Sequence, residues 1–508
     1  MAECILLDGS PLTVSQIAAA ARDQAPIEID GPTLKRLATS RARLEQIAGD
    51  GEPHYGVNTG FGSLSRCRVD DDQLNDLQVN LIRSHAAGAG EPLPVDVVRA
   101  TMLLLAASLS RGLSGVRPVL VESIVALLNT GITPMVPSVG SVGASGDLAP
   151  LAHIALALFG EGEVRLARST MPAARALAEK GLTPITLHAK EGLALINGTH
   201  LMAARASLLI RDTDRLLRAA FVAGAMSIDG CKATDSFLHP DVARARRHAG
   251  VSRAAANLRG LLEGSEILPS HRNGDPRVQD PYSFRCQPAV LGAVLDSIEY
   301  VRKELEQELG SVTDNPLLVG DPGQEELVSA GNFHGMPIAL PLDHLSLAIT
   351  HIAGMSERRV FHMLSGSDPQ SGLSPYLATQ PGVTSGLMIT QYTAAACCNE
   401  LIGLCTPATV ANISTSAGIE DYNSFGPRSA AKARRAVELA EIVVAIELLG
   451  AAQAIEMHRP LKTGHRLEQA HRLIRQRVPA LSSDRSPSPD IEAIVQIIRS
   501  DAFVDLFD

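Results

Sequence analysis

Ala144, Ser145 and Gly146 stand in a glycine-rich stretch, GSVGASGDLAP (Gly140–Pro150), where the backbone itself can react. Gly146 has no Cβ, so its backbone nitrogen can approach the carbonyl carbon of Ala144 closely. Attack there closes a five-membered ring containing Ser145. Loss of the carbonyl oxygen as water makes an imidazolone, and loss of the Ser145 hydroxyl as a second water makes an exocyclic methylidene. The product is a strong electrophile of a kind no standard side chain supplies. A helix following the ring would turn its N-terminus toward it and favour negative charge developing there. The tripeptide alone is weak evidence, since it occurs by chance in roughly one chain in five of this length. Its plain reading is a helix-entry loop with Asp147 as N-cap.

Other chemistries lack their residues. The chain has no H-E-x-x-H, no G-x-x-x-x-G-K-[ST], and no G-x-G-x-x-G between a strand and a helix. Asp147 stands where a nucleophile elbow needs its second glycine, so a serine hydrolase is not expected. Cysteines at 4, 67, 231, 286, 397, 398 and 405 show no C-x-x-C spacing. That pattern suits buried, inert thiols in a reducing compartment rather than disulfides or a zinc site.

The elements that must hold such a loop are mainly helical. At 508 residues with 45% hydrophobic and 20% charged residues, the chain can bury a large core. It has no Trp, so Ala, Leu, Ile and Val must pack that core, as closely spaced helices allow. A net charge of −10 argues against a general nucleic-acid or anionic-membrane binder. Apolar runs are interrupted by Glu, Arg or His before membrane-spanning length, and no signal peptide is visible, so a cytoplasmic protein is expected. Thr13 and Gln16 form a capping-box pattern. A helix is predicted from Val95 to the break at Ser114-Gly115, and another from Pro118 to Gly131. LAPLAHIALALFGEG follows the glycine-rich loop as a further apolar helix. Longer periodic segments cover residues 199–226, 337–364 and 429–457, with Pro337 and Pro341 early in theirs. SSDRSPSP (Ser482–Pro489) reads as a loop before a last short helix. Long helices of this kind imply a bundle. The expected fold is therefore mainly α, a long-helix bundle core with a smaller N-terminal mixed helix and loop region carrying the reactive loop. No linker divides it, so 1–508 is expected as one unit. It comprises an N-terminal region over about 1–195, a central bundle over about 196–460, and C-terminal helices over 461–508.

GSVGASGDLAPLAH resembles the cofactor loop of the ammonia-lyases that use 4-methylidene-imidazol-5-one, or MIO. Further matches run in family order along most of the chain: YGVNTGFG (Tyr55–Gly62), NLIRSHAAG (Asn80–Gly88) and EGLALINGT (Glu191–Thr199). QDPYSFRCQP (Gln279–Pro288), TDNPL (Thr313–Leu317), GNFHG (Gly331–Gly335) and PGVTSGLM (Pro381–Met388) continue the series. The resemblance implies that Ala144-Ser145-Gly146 forms MIO, that no metal or nucleotide is needed, and that the enzyme is a homotetramer whose sites draw on several subunits.

The resemblance also assigns roles. Arg285 would clamp the substrate carboxylate, a task its planar guanidinium suits. Tyr55, in a glycine-rich loop, would take the β-proton, and Tyr282 would assist proton transfer. Asn197 and Gln279 match residues that hydrogen-bond the substrate or the cofactor oxygen, and Phe333 matches an aromatic residue at the pocket wall. Each of these alone would read as a satisfied loop residue.

His85 and Glu420 bear on the substrate. The SHAAG context of His85 is similar to histidine ammonia-lyases, where this residue meets the imidazole, although tyrosine lyases can also carry His here. Glu420, in STSAGIEDYNSFG, aligns with a carboxylate of the histidine-specific branch, where tyrosine and phenylalanine lyases usually have an amide. A carboxylate suits an imidazole that is cationic or donates a hydrogen bond, and the resemblance also implies a catalytic part for Glu420 in the proton chemistry. Met388 matches the same pocket. Ile419 replaces an expected Gln, and Tyr422-Asn423-Ser424-Phe425 replaces His-Val-Ser-Met, which could reshape the wall for another aromatic or a modified histidine. The expected reaction is L-histidine to trans-urocanate plus ammonia. The alternatives are tyrosine or phenylalanine elimination, an aminomutase, or a non-catalytic helical scaffold. Intact Tyr55, Ser145, Tyr282 and Arg285 argue against the last.

Overall fold

Local signals close the first helices where the spacing predicts. In the computed structural model, which describes residues 3–62 and 68–507, Thr13 Oγ1 accepts from Gln16 N at 3.2 Å. Gln16 Oε1 accepts in turn from Thr13 N at 2.9 Å, completing the box ahead of the Val14–Arg22 helix. The next predicted helices form as Val95–Ser110 and as Pro118–Thr130, which stops at Gly131. The apolar segment after the glycine-rich loop is the Leu148–Leu158 helix.

The three long segments are the helices His200–Gly230, Met336–Ser365 and Gly426–Glu456. Pro341 lies inside its helix rather than in the first turn, where it removes one i→i−4 bond. The last short helix, Ser488–Arg499, begins within the SSDRSPSP segment. Met336–Ser365 is also long and apolar enough to cross a membrane by length and composition, contrary to the expectation that no run reaches that length. Most of its apolar stretch is buried inside the protein, as in the core helix of a globular fold.

The chain groups into two compact units of three stretches each. The first comprises Met1–Leu208, Arg302–Asp343 and Pro407–Ala431. It holds every strand among the described residues. Ile5–Leu7 pairs in parallel with Ile27–Ile29, and Ala89–Pro92 pairs antiparallel with Pro137–Val139. Ile132–Pro134, Glu163–Leu166 and Ser169–Pro172 make a three-stranded antiparallel sheet, and Leu317–Val319 pairs with Glu326–Val328. Helices Leu74–His85, Leu148–Leu158 and Glu191–Ile196 pack on one another and carry much of the wall described below.

The second unit comprises Leu209–Val301, His344–Thr406 and Lys432–Asp508, and the regular elements among its described residues are all helices. Its core is small and aliphatic: Ala219, Ala220, Ala223, Ala440, Val443, Val444 and Ala445 are fully buried. Each buried Val or Leu contributes about 1.5–3 kcal/mol over exposure, and Ala permits close helix approach instead. A buried ion pair crosses this core, where Arg359 Nη2 meets Glu447 Oε2 at 2.8 Å.

The cysteines only partly match expectation. Cys231 and Cys397 are buried, Cys4 is exposed, and Cys286, Cys398 and Cys405 are half-buried; Cys67 lies outside the described residues. Spacing carries no information about burial, which is set by where each helix face lands.

Candidate active site

The glycine-rich loop is held from both sides. Gly146 adopts φ +75°, and a Cβ built there would stand 2.1 Å from the Gly198 carbonyl oxygen, so only glycine fits. Asp147 N donates to that same oxygen at 2.7 Å, and Gly198 N donates to the Ser145 carbonyl at 3.5 Å. Ser424 Oγ donates to the Gly143 carbonyl at 2.8 Å.

Asp147 takes the position before the Leu148–Leu158 helix, but its side chain does not cap that helix. It is fully buried and accepts instead from Leu201 N at 2.9 Å and Met202 N at 3.1 Å, in the first turn of the His200–Gly230 helix. Burial pushes its pKa up to about 6 against those hydrogen bonds. The loop reading is thus corrected: Asp147 caps a helix more than fifty residues onward, which no local pattern reveals.

Beside the loop lies a cavity of about 860 Å³, and nine of the residues singled out from sequence line it: Tyr55, His85, Ala144, Ser145, Asn197, Phe333, Ile419, Glu420 and Tyr422. Ser145 Oγ donates to Glu420 Oε1 at 2.7 Å, and the other carboxylate oxygen accepts from Thr415 Oγ1 at 2.7 Å. His85 ends the Leu74–His85 helix with Nδ1 2.9 Å from the Leu81 carbonyl. That carbonyl can only accept, so it pairs with the ring when Nδ1 carries a hydrogen, and Ser84 Oγ lies 3.1 Å from the same nitrogen. Tyr55 is half-buried, and its hydroxyl accepts from Gly62 N at 3.4 Å. Burial raises the Tyr55 phenol above its ordinary value, and the charge of Glu420 raises it further. No Lys or Arg is among the lining residues, which include the acids Glu420 and Asp421. Among the described residues, no group of three or more His, Cys, Asp or Glu could hold a metal ion.

Gln279, Tyr282, Arg285 and Met388 belong to the second unit and are not among the residues lining this cavity. Tyr282 is 67% exposed and Gln279 is exposed, in a turn that is itself firmly built. Arg285 Nε donates to the Asp280 carbonyl at 3.1 Å, and its guanidinium lies 4.6 Å from the Tyr282 ring centre. Arg359 Nη1 donates to the Ser283 carbonyl at 3.1 Å from beneath.

A family model for aromatic amino acid lyases matches residues 12–476. The chain belongs to this family. The histidine ammonia-lyase of Anaeromyxobacter dehalogenans is 46% identical over 508 residues, covering 98% of this chain and 99% of that protein. The crystal structure of histidine ammonia-lyase from Trypanosoma cruzi matches with a TM-score of 0.91 at 38% identity, over 99% of this chain and 95% of that one. Tyrosine aminomutase from Streptomyces globisporus matches at 0.93 and 33% identity, over 99% and 98%. The mainly helical architecture expected from periodicity is the one these lyase-family structures share.

Several lining residues of this aromatic amino acid lyase fold were not singled out from sequence. Asn80, Asn315, Ser329 and His334 all reach the cavity. Asn80, Asn315 and His334 lie inside the matching segments NLIRSHAAG, TDNPL and GNFHG, which is the signal that could have found them. His334 Nδ1 accepts from Met336 N at 3.4 Å while Nε2 lies 3.0 Å from the Tyr422 carbonyl, tying the turn of Phe333 to the segment of Glu420.

Proposed function

We propose that this lyase eliminates ammonia from L-histidine to give trans-urocanate, using an MIO group formed from Ala144-Ser145-Gly146. The observation that carries the reading is the Ser145 hydroxyl held by Glu420 in a cavity that Tyr55 and His85 also line. The loop suits cyclisation: Gly146 is pinched where no Cβ fits, and Ser145 carries a hydroxyl able to leave. Once formed, MIO supplies an electrophilic carbon that activates the substrate amino group for departure. The chain's own residues do the rest.

Tyr55 takes the β-proton, and Tyr282 assists the transfer. His85 meets the substrate imidazole, with Glu420 and Met388 completing the ring pocket and Phe333 its wall. Asn197 and Gln279 hold the polar end of the substrate. Arg285 is the cation that a substrate carboxylate needs, and we assign the sites to a homotetramer in which more than one copy contributes, with Gln279, Tyr282 and Met388 taking part beside Arg285. We place the enzyme in the cytoplasm.

Separate incubation with L-histidine, L-tyrosine and L-phenylalanine tests the substrate. Urocanate absorbance should grow fastest, and faster coumarate or cinnamate formation would overturn histidine as the substrate. Glu420→Gln should lower histidine turnover by about a hundredfold or more, the scale of one acid–base group. Any residual tyrosine or phenylalanine turnover should fall less; equal proportional losses would remove Glu420 from ring recognition.

A further inference from the structure

We propose that the buried Lys190–Asp314 ion pair positions Asn197 in the cavity wall and fixes the orientation of its amide. The inference rests on the reading above, in which Asn197 belongs to the active site. Lys190 Nζ lies 2.6 Å from Asp314 Oδ2, and the two side chains are 0% and 3% exposed. Replacing such a pair by apolar groups is often neutral for stability, so burial alone does not explain its presence.

Its place in the chain does. Lys190 stands directly before the Glu191–Ile196 helix, with a left-handed φ of +74°, and that helix ends at Asn197. Holding a lysine there costs backbone energy, which the contact with Asp314 offsets. Asp314 stands directly before Asn315 and accepts from Asn315 N at 2.6 Å through Oδ1. The Asn315 carbonyl accepts from Asn197 Nδ2 at 3.0 Å. The contacts thus close a ring: Lys190, the short helix, Asn197, Asn315, Asp314 and back to Lys190. From the other side, Asn315 Oδ1 accepts from Ala330 N at 2.6 Å, so the carbonyl facing Asn197 is held in place.

A backbone carbonyl can only accept, which settles the Asn197 amide: the NH₂ faces Asn315. Asn197 Oδ1 is left buried and without a protein partner. With one Nδ2 hydrogen given to Asn315, Asn197 keeps Oδ1 as an acceptor and its second Nδ2 hydrogen as a donor, and this orientation persists only while Asn315 stays where the ion pair holds it. Lys190 and Asp314 act through Asn197 and are positioning residues.

A double-mutant cycle tests this. Lys190→Met with Asp314→Leu removes both charges together, and Asn197→Ala is made in the parent and in that background. Thermal midpoint, near-ultraviolet absorbance of the matured loop, KM and kcat are read for each. The charge-free enzyme should keep its midpoint within a few degrees and its absorbance, and lose kcat by about tenfold or more. Asn197→Ala should cost about tenfold or more in the parent but less than about twofold in the charge-free background. Equal losses in both backgrounds would overturn the inference and leave the reading of the site intact. A parent unaffected by Asn197→Ala would overturn both. If the charge-free protein does not fold, Asp314→Glu, which keeps the charges and shifts the contact, is read in the same cycle with the same criteria.

Discussion

Ser145→Ala is expected to leave a folded protein without the near-ultraviolet absorbance of a matured loop, and with histidine turnover reduced by about a thousandfold or more, a loss in the range of a whole catalytic element. The hydroxyl is the atom group that must leave as water for an exocyclic methylidene to form, and alanine has none. Ser145 is only half-buried, and the hydrogen bond its hydroxyl donates goes to Glu420. Removing that bond costs about 1 kcal/mol of stability, too little to unfold a domain of this size. Unfolding and loss of chemistry therefore separate cleanly in a thermal melt run beside the assay. Undiminished turnover in Ser145→Ala would end the MIO reading, whatever else the cavity does.

The helices that carry the site were legible because their signals are local. Thr13 and Gln16 lie three residues apart, and Pro118 and Gly131 bracket one apolar run. The glycine-rich loop was legible for the same reason, and the matching segments ordered along the chain gave it context. What closes the site is not local. Ser145 meets Glu420 across 275 residues, Gly146 is pinched by Gly198, and Asp147 caps the helix that starts at His200. No hydrophobic period encodes such pairings, because each depends on how separate helices land against one another.

Tyr55→Phe should reduce turnover by about a hundred- to ten-thousandfold, the range for removing a positioned proton acceptor, while KM changes little. The exchange deletes one oxygen and keeps the ring, and that oxygen's contact in the protein is a long one, 3.4 Å from Gly62 N. Stability should hardly move. The pH dependence separates a base from a packing residue. Burial first, and then the negative charge of Glu420, raise the Tyr55 phenol above its ordinary value. A group with a raised pKa gives up its proton only at higher pH, so the fraction able to accept the β-proton grows as pH rises. In the parent enzyme, kcat should therefore climb through the alkaline range. Tyr55→Phe should lose that limb altogether. Glu420→Gln removes the charge that helps hold the proton on, so its limb should move to lower pH even though its maximum rate is reduced. A Tyr55→Phe enzyme that retains the alkaline limb, or keeps turnover within about threefold of the parent, would assign the β-proton to another group. Tyr282, whose ring lies 4.6 Å from the Arg285 guanidinium, would then be the next to test.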